Sequence, residues 1–252
     1  MSTNGINWII AAAGKDASLT RAAQFTCLHL CTRLQTDGSF APLSYPATAA
    51  GDYLGITDGG GIPRSPNAFA AAAVSAAKSR RFCGIMADLE RPILQQTVSA
   101  LDTAAYAAGL QLLIPLALAQ AAPHAIIIAD TAISGGSLLH RFDSLAARYG
   151  RERLAAQLIC SCADFPLPCS VPNGTALSPS EFDALREETH ASLFFSKELC
   201  AKYFTYSKND QAHFVLFDDS DTLQYKAEQL FHCGIETMLV VFPDARRMGL
   251  FS

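Results

Sequence analysis

The chain has 252 residues, is 50% hydrophobic and 17% charged, and carries a formal net charge of −4. At this length roughly 75% of the unfolded surface can be buried, which supports one large cored domain and excludes a disordered chain. Nineteen Lys and Arg against 23 Asp and Glu leave no extended positive field, which argues against nucleic acid as a partner.

The first residues have no basic segment, and the apolar run Trp8–Ala13 is too short for a secretory signal, so a cytoplasmic address is the expectation. Trp8–Ala13 reads as a first strand and Thr20–Leu34 as a helix. Strands follow at Tyr53–Ile56 and Phe82–Ala87, with a further one near Phe40–Ser44, and a helix at Asn67–Arg81. Next come helix Ile93–Ala108, strands Leu110–Leu116 and Ala125–Ala129, helix Ser137–Arg148 and strand Leu154–Cys160. The apolar stretch from Ala104 to Ala129 is divided by Gly109, Gln111, Pro115, Gln120, Pro123 and His124 into pieces below the ~20 residues of a membrane span, so no membrane association is expected.

From Phe165 to Phe217 the alternation breaks. Prolines 166, 168 and 172 precede a capped helix at Ser178-Pro179-Ser180-Glu181, and two strand-like runs, Ala201–Tyr206 and Ala212–Phe217, flank the turn Ser207-Lys208-Asn209-Asp210. Helix Ser220–Cys233, with Ser220 or Asp221 as cap and Gly234 as terminator, leads into a last strand, Thr237–Phe242. Short apolar runs alternating with helices describe a parallel sheet covered on both faces. Seven visible strands and a plausible eighth fit an α/β (β/α)8 TIM barrel, a single domain over 1–252 with a small α+β insertion at 165–216. A doubly wound open sheet is the alternative, but no strand is followed by G-x-G-x-x-G, and the run Asp58-Gly59-Gly60-Gly61 lacks the helix start of a phosphate cradle.

The eight cysteines are scattered through apolar segments without zinc-knuckle spacing, and even the cluster Cys160, Cys162 and Cys169 reads as ordinary thiols. The six histidines show no ligand spacing, and no G-x-S-x-G elbow is present. Neither a metal nor a cofactor is expected. The chemistry concentrates in Asp88-Leu89-Glu90 at the end of an apolar strand. Alternation puts both carboxylates on one face, and in a barrel that face opens onto the active-site mouth. Two carboxylates in a partly dry cavity do not ionise equally, and one becomes a proton donor at neutral pH. The bland alternative is a helix-capping Asp88 and a rim ion pair from Glu90 to Arg91. Asp130, at another strand end, is a third rim carboxylate or a local cap. Asp58 is a turn residue or a ligand contact, and Asp218 lines the mouth or caps a helix.

The segment Gly84-Ile85-Met86-Ala87-Asp88-Leu89-Glu90-Arg91-Pro92 resembles the fourth-strand signature of glycoside hydrolase family 18, the chitinase-like barrels, whose pattern is D-G-x-D-x-D-x-E. Cys83 and Met86 stand where the family has its first two aspartates. Phe217-Asp218-Asp219 and the following helix and strand resemble the family's C-terminal segment, and the insertion lies where many members carry one. The resemblance implies retaining hydrolysis of β-linked N-acetylglucosamine glycans by substrate assistance. Glu90 would act as acid and base, Asp88 would orient the acetamido group, and Asp130 would match the family's aspartate; beside them, Asp58 and Asp218 are the other candidate substrate contacts. Aligned with the family's M-x-Y-D, Ile127 and Ala129 replace Met and Tyr, and the last strand lacks the Trp that floors the sugar site. Three readings follow: an active glycosidase, an inactive barrel that binds a glycan or a protein, or a barrel enzyme of other chemistry. Spore-associated members of the family offer a second cellular setting, and the sequence leaves the oligomeric state open.

Overall fold

Runs that are apolar at every position have to be covered on both faces, and the chain achieves this by wrapping its sheet into a cylinder. The computed structural model describes residues 5–42, 50–168 and 174–251. In chain order its first half comprises β1 (Asn7–Ala12), α1 (Gly14–Ala22), β2 (Thr26–Leu34), β3 (Phe40–Pro42), β4 (Tyr53–Asp58), α2 (Pro66–Ser79), β5 (Gly84–Asp88) and α3 (Gln95–Ala107). β6 (Gln111–Pro115), β7 (Ile126–Asp130), α4 (Leu138–Tyr149) and β8 (Leu154–Leu158) follow. β9 (Cys162–Leu167), β10 (Thr175–Ala176), α5 (Pro179–Thr189), β11 (Phe194–Ser196), β12 (Ala201–Lys208) and β13 (Gln211–Phe217) form the interrupted region. α6 (Ser220–His232), β14 (Thr237–Val241) and α7 (Phe242–Arg247) complete the chain.

The main sheet runs β1-β14-β8-β7-β6-β5-β4-β2-β3, and β1 also pairs with β2. β1 is therefore hydrogen-bonded on both edges, Ile9 opposite Leu239 on one side and opposite Thr26 on the other. The parallel strands close into a (β/α)8 barrel, which rules out the open doubly wound sheet. Ile9, Leu28, Tyr53, Met86, Leu113, Ile128 and Leu239 fill the lumen. The alternate positions, among them Ile10, Leu54, Ile85, Ile127 and Val240, face the helices. Among the described residues no helix is long and apolar enough to cross a membrane.

Two of the expected elements differ. Thr20–Leu34 is not one helix: α1 stops at Ala22, Gln24 takes a left-handed conformation at φ 63°, and Thr26–Leu34 is the second barrel strand. Phe25, Leu28 and Cys31 recur every three residues and so imitate a helical face, but hydrogen-bonding partners on both edges override that pattern. Phe40–Pro42 is a strand, yet it pairs antiparallel with β2 outside the cylinder and is not a barrel strand. Ser44 lies outside the described residues. The cap of α6 is also one residue early: Asp219, not Ser220 or Asp221, accepts from the Thr222 amide, while Gly234 does sit at a positive φ beyond the end.

Where the sequence reads as a helix and a hairpin, the chain builds a five-stranded antiparallel sheet, β10-β9-β13-β12-β11. Asn209 and Asp210, at φ 51° and 61°, make the tight turn between β12 and β13. One face, with Phe204, Val215 and Phe217, packs on Phe182 and Leu185 of α5. The other, with Phe165, Ala201 and Leu216, packs on Ile133 in the loop after β7, so the small sheet stands as a wall on the barrel rim.

Phe142 of α4 is a fully enclosed aromatic in the layer between helices and barrel. Phe142→Ala is expected to cost about 3–5 kcal/mol, read as a lower urea midpoint with an unchanged slope.

Candidate active site

Met86 points into the lumen, so two residues on, at the C-terminal end of β5, Asp88 points into the mouth. Asp88 stands in register with Thr57 of β4. Leu89 is fully buried in the helix-facing layer, and Glu90, one residue beyond it and outside the strand, is exposed. Leu94, equally buried beyond the turn that starts at Pro92, anchors the exit of the strand. Among the described residues neither carboxylate makes a hydrogen bond or an ion pair. Asp88 is open to solvent, yet the walls of the mouth strip part of its hydration and raise its pKa above the ordinary carboxylate value. The negative charge of Asp58 adds to that shift.

The rim ion pair expected between Glu90 and Arg91 does not form, and Asp88 caps no helix. Arg91 instead grips Asp58 with a two-pronged contact, Nε to Oδ2 at 2.6 Å and Nη2 to Oδ1 at 2.9 Å, and also donates to the Gly61 carbonyl. The Gly60 amide donates to Asp58 as well, at 2.7 Å. The guanidinium holds the Asp58 carboxyl below the usual carboxylate range. Asp58 is in register with Leu34, which faces the helices, so its side chain lies on the outer side of the rim rather than in the mouth. The glycines around it are required by close approach: a Cβ on Gly61 would stand 1.7 Å from the Gln35 carbonyl oxygen, and one on Gly59 2.1 Å from that of Leu34.

Asp130 ends β7 in the lumen phase set by Ile128. Arg141 of α4 donates to its carbonyl at 2.6 Å and its carboxylate at 3.2 Å. Beside it, a cavity of about 300 Å³ runs between Asp130, Ile133, Phe165 and Leu216, that is, between the rim and the wall formed by the small sheet. Gln157 of β8 is in register with Asp130, and Ala155, two residues before it, faces the lumen, so the amide joins the mouth. Ile127 and Ala129, which align with the family's M-x-Y, are both buried toward the helices. The lumen positions of β7 are Ile126, Ile128 and Asp130. Trp8 likewise faces the helices, with its indole N–H unpartnered among the described residues. On the last strand Val241, 39% exposed, is in the lumen phase of Leu239.

Asp218 is a buried structural hub. Lys226 Nζ lies 2.7 Å from Oδ1, the Thr222 hydroxyl donates to the same oxygen at 3.0 Å, and the Ser161 hydroxyl donates to Oδ2 at 2.8 Å. Through Lys226 and Ser161, Asp218 joins α6 to the turn between β8 and β9, and it lines a second cavity of about 460 Å³ together with Cys160, Phe182 and Arg247. Among the described residues no group of His, Cys, Asp and Glu could hold a metal ion. Cys160 and Cys162 are free thiols whose pKa burial raises, and Cys169 lies outside the described residues. Sequence reasoning missed Arg91 and Arg141 as partners, because each pairing is fixed by barrel register and leaves no local motif.

No family model matches the chain, and no curated protein matches it. Solved structures do. A chitinase from Chromobacterium violaceum is 20% identical, with a TM-score of 0.61 over 95% of this chain and 95% of that one. A glycoside hydrolase family 18 N-acetylglucosaminidase from Paenibacillus barengoltzii is 12% identical, with a TM-score of 0.66 over 93% and 94%. The spore cortex-lytic enzyme SleL of Bacillus cereus is 16% identical, with a TM-score of 0.65 over 97% of this chain and 74% of that one. The chain has the fold of the family 18 glycoside hydrolases. Within this chitinase-like barrel, Asp88 at the end of β5 and Glu90 just beyond it make no ion pair with an arginine among the described residues.

Asp58→Asn is expected to lower the Asp88 pKa, since it removes a negative charge that disfavours Asp88 ionisation. Arg91→Ala, which leaves Asp58 unneutralised, is expected to raise it. Carbon-13 carboxyl titration of Asp88 by NMR reads both directions. Asp218→Ala, which strands the Lys226 ammonium in the interior, is expected to cost about 3–5 kcal/mol in denaturant unfolding.

Proposed function

We propose that the chain is a divergent family 18 glycoside hydrolase that cleaves β-linked N-acetylglucosamine-containing glycans with retention of configuration. The observation that carries this reading is Asp88 in the lumen phase at the end of β5, with the exposed Glu90 two residues on and neither carboxylate in an ion pair among the described residues. Glu90, open to solvent and without an ion pair or hydrogen bond among the described residues, protonates the glycosidic oxygen and then draws a proton from the attacking water. The acetamido oxygen of the substrate is the nucleophile, so no second carboxylate has to reach the anomeric carbon. Asp88 orients the acetamido N–H and stabilises the positive charge that develops on it. It does so only when ionised, and the upward shift of its pKa moves the acid limb of activity to higher pH than an unperturbed aspartate would give. Asp130 and Gln157 stand across the mouth as polar contacts for the sugar. Support from the solved structures is of one kind: they include a chitinase, an N-acetylglucosaminidase and a tobacco class V chitinase in complex with NAG4.

A second reading, an inactive glycan-binding barrel, is favoured by one observation. The mouth position of the last strand is Val241, and no tyrosine stands on β7, so a stacking face and a hydroxyl donor are missing. Chromogenic N-acetylglucosamine oligomers separate the two. Hydrolysis by the wild type with a loss of about 10²-fold or more in kcat for Glu90→Gln supports the enzyme. A glycan that raises the melting temperature without turnover supports the binding module.

A further inference from the structure

β2 carries an irregularity that reassigns its side chains. Its pairing with β4 advances one residue between Leu30 and Thr32. Before the shift Leu28 and Leu30 pack into the lumen, and Cys31 faces the helices. After it Leu34 faces the helices, so Cys31 and Thr32 lie consecutively on the outer face and Arg33 turns inward. Arg33 is in register with Thr57, and Thr57 with Asp88, which sets the three on the same face of neighbouring strands. Two strand spacings separate Arg33 from Asp88, roughly 10 Å.

The Arg33 side chain lies over Gly59, where an added Cβ would come within 2.9 Å of Nε, so a bare backbone leaves it room. It is exposed and, among the described residues, makes no hydrogen bond or ion pair. The nearby Asp58 feels its charge but is already gripped by Arg91. Arg91 is thus committed to Asp58, and Arg33 is the guanidinium on this side of the rim that no protein carboxylate holds among the described residues. A free guanidinium in such a place matches the planar fork of a carboxylate. Asp88 and Glu90 close by repel a doubly charged phosphate more than a singly charged carboxylate.

We propose that Arg33 determines specificity by binding a carboxylate carried by a glycan beside the sugar held at Asp88 and Glu90, so that the preferred substrate is an acidic amino-sugar polymer. The inference rests on the glycan-binding reading of the mouth. Two substrates test it, a neutral N-acetylglucosamine oligomer and an oligomer alternating N-acetylglucosamine with N-acetylmuramic acid. The wild type is expected to favour the second. Arg33→Gln is expected to lower kcat/KM on it about tenfold or more, mainly through KM, and to leave the neutral oligomer within about twofold. Reducing the substrate carboxylates to alcohols should cost the wild type the same factor, a measurement that needs no variant. Equal effects on both substrates, or no preference in the wild type, overturn the role of Arg33 while glycan hydrolysis stands. If neither oligomer is hydrolysed or raises the melting temperature, the glycan reading itself fails and this inference with it.

Discussion

The hydrogen bonds that β1 makes with both β14 and β2 are what the rest of the molecule depends on. An open sheet would leave two edges and two equivalent faces. Closing the cylinder gives every strand one face toward the lumen and one toward the helices, and the identity of each inward residue becomes a question of phase alone. Met86 and Asp88 form one inward series, while Ala87 and Leu89 form the outward series that anchors it. The carboxylates are held where they are by two fully buried apolar neighbours rather than by polar contacts of their own. That frees them for a ligand.

Electrostatics at the rim follow a consistent division. Asp58 and Asp130 each carry an arginine within 3.2 Å, and Asp218 is sealed with Lys226. All three pairings tie elements together: Asp58 with Arg91 joins the glycine loop after β4 to the exit of β5, Asp130 with Arg141 joins β7 to α4 while its carboxylate still lines a cavity at the rim, and Asp218 holds α6 to the end of β8. Asp88 keeps the electrostatic consequence of one of them, because the charge of Asp58 reaches it through the rim. Met86 below it offers no second carboxylate, so Asp88 shares its proton with no group beneath. Its tuning comes from the wall and from Asp58 instead.

Strands β4 to β8 and the helices α2, α3, α4 and α6 were legible because each short apolar run is bounded by turn residues and each helix has a cap or a terminator. β2 was not, since Phe25, Leu28 and Cys31 give a false helical period and only its two strand partners decide the matter. The phase of β7 was hidden for a different reason. From Ala125 to Ala129 every residue is apolar, so nothing in the sequence marks which face is the lumen. β5 escaped that ambiguity only because its charges fall two apart. The minor sheet was half visible: the hairpin announced itself through Asn209-Asp210, whereas β9 carries Pro166, and β10 and β11 are two and three residues long.

Phase also explains how 12–20% identity coexists with one fold. The core asks each barrel strand for apolar residues on both faces and is indifferent to which ones. The site asks for particular residues at a few mouth positions, and a shift of one residue exchanges them without disturbing the core. β2 shows the step completed: one additional residue at the irregularity keeps Leu34 among the helices and brings Arg33 into the mouth. A barrel can change what it recognises by such slips at strand ends while its interior layers hold, which is why the outward packing of Leu34, Leu89 and Ala129 says more about the fold, and the inward phase of Arg33, Asp88 and Asp130 more about the ligand.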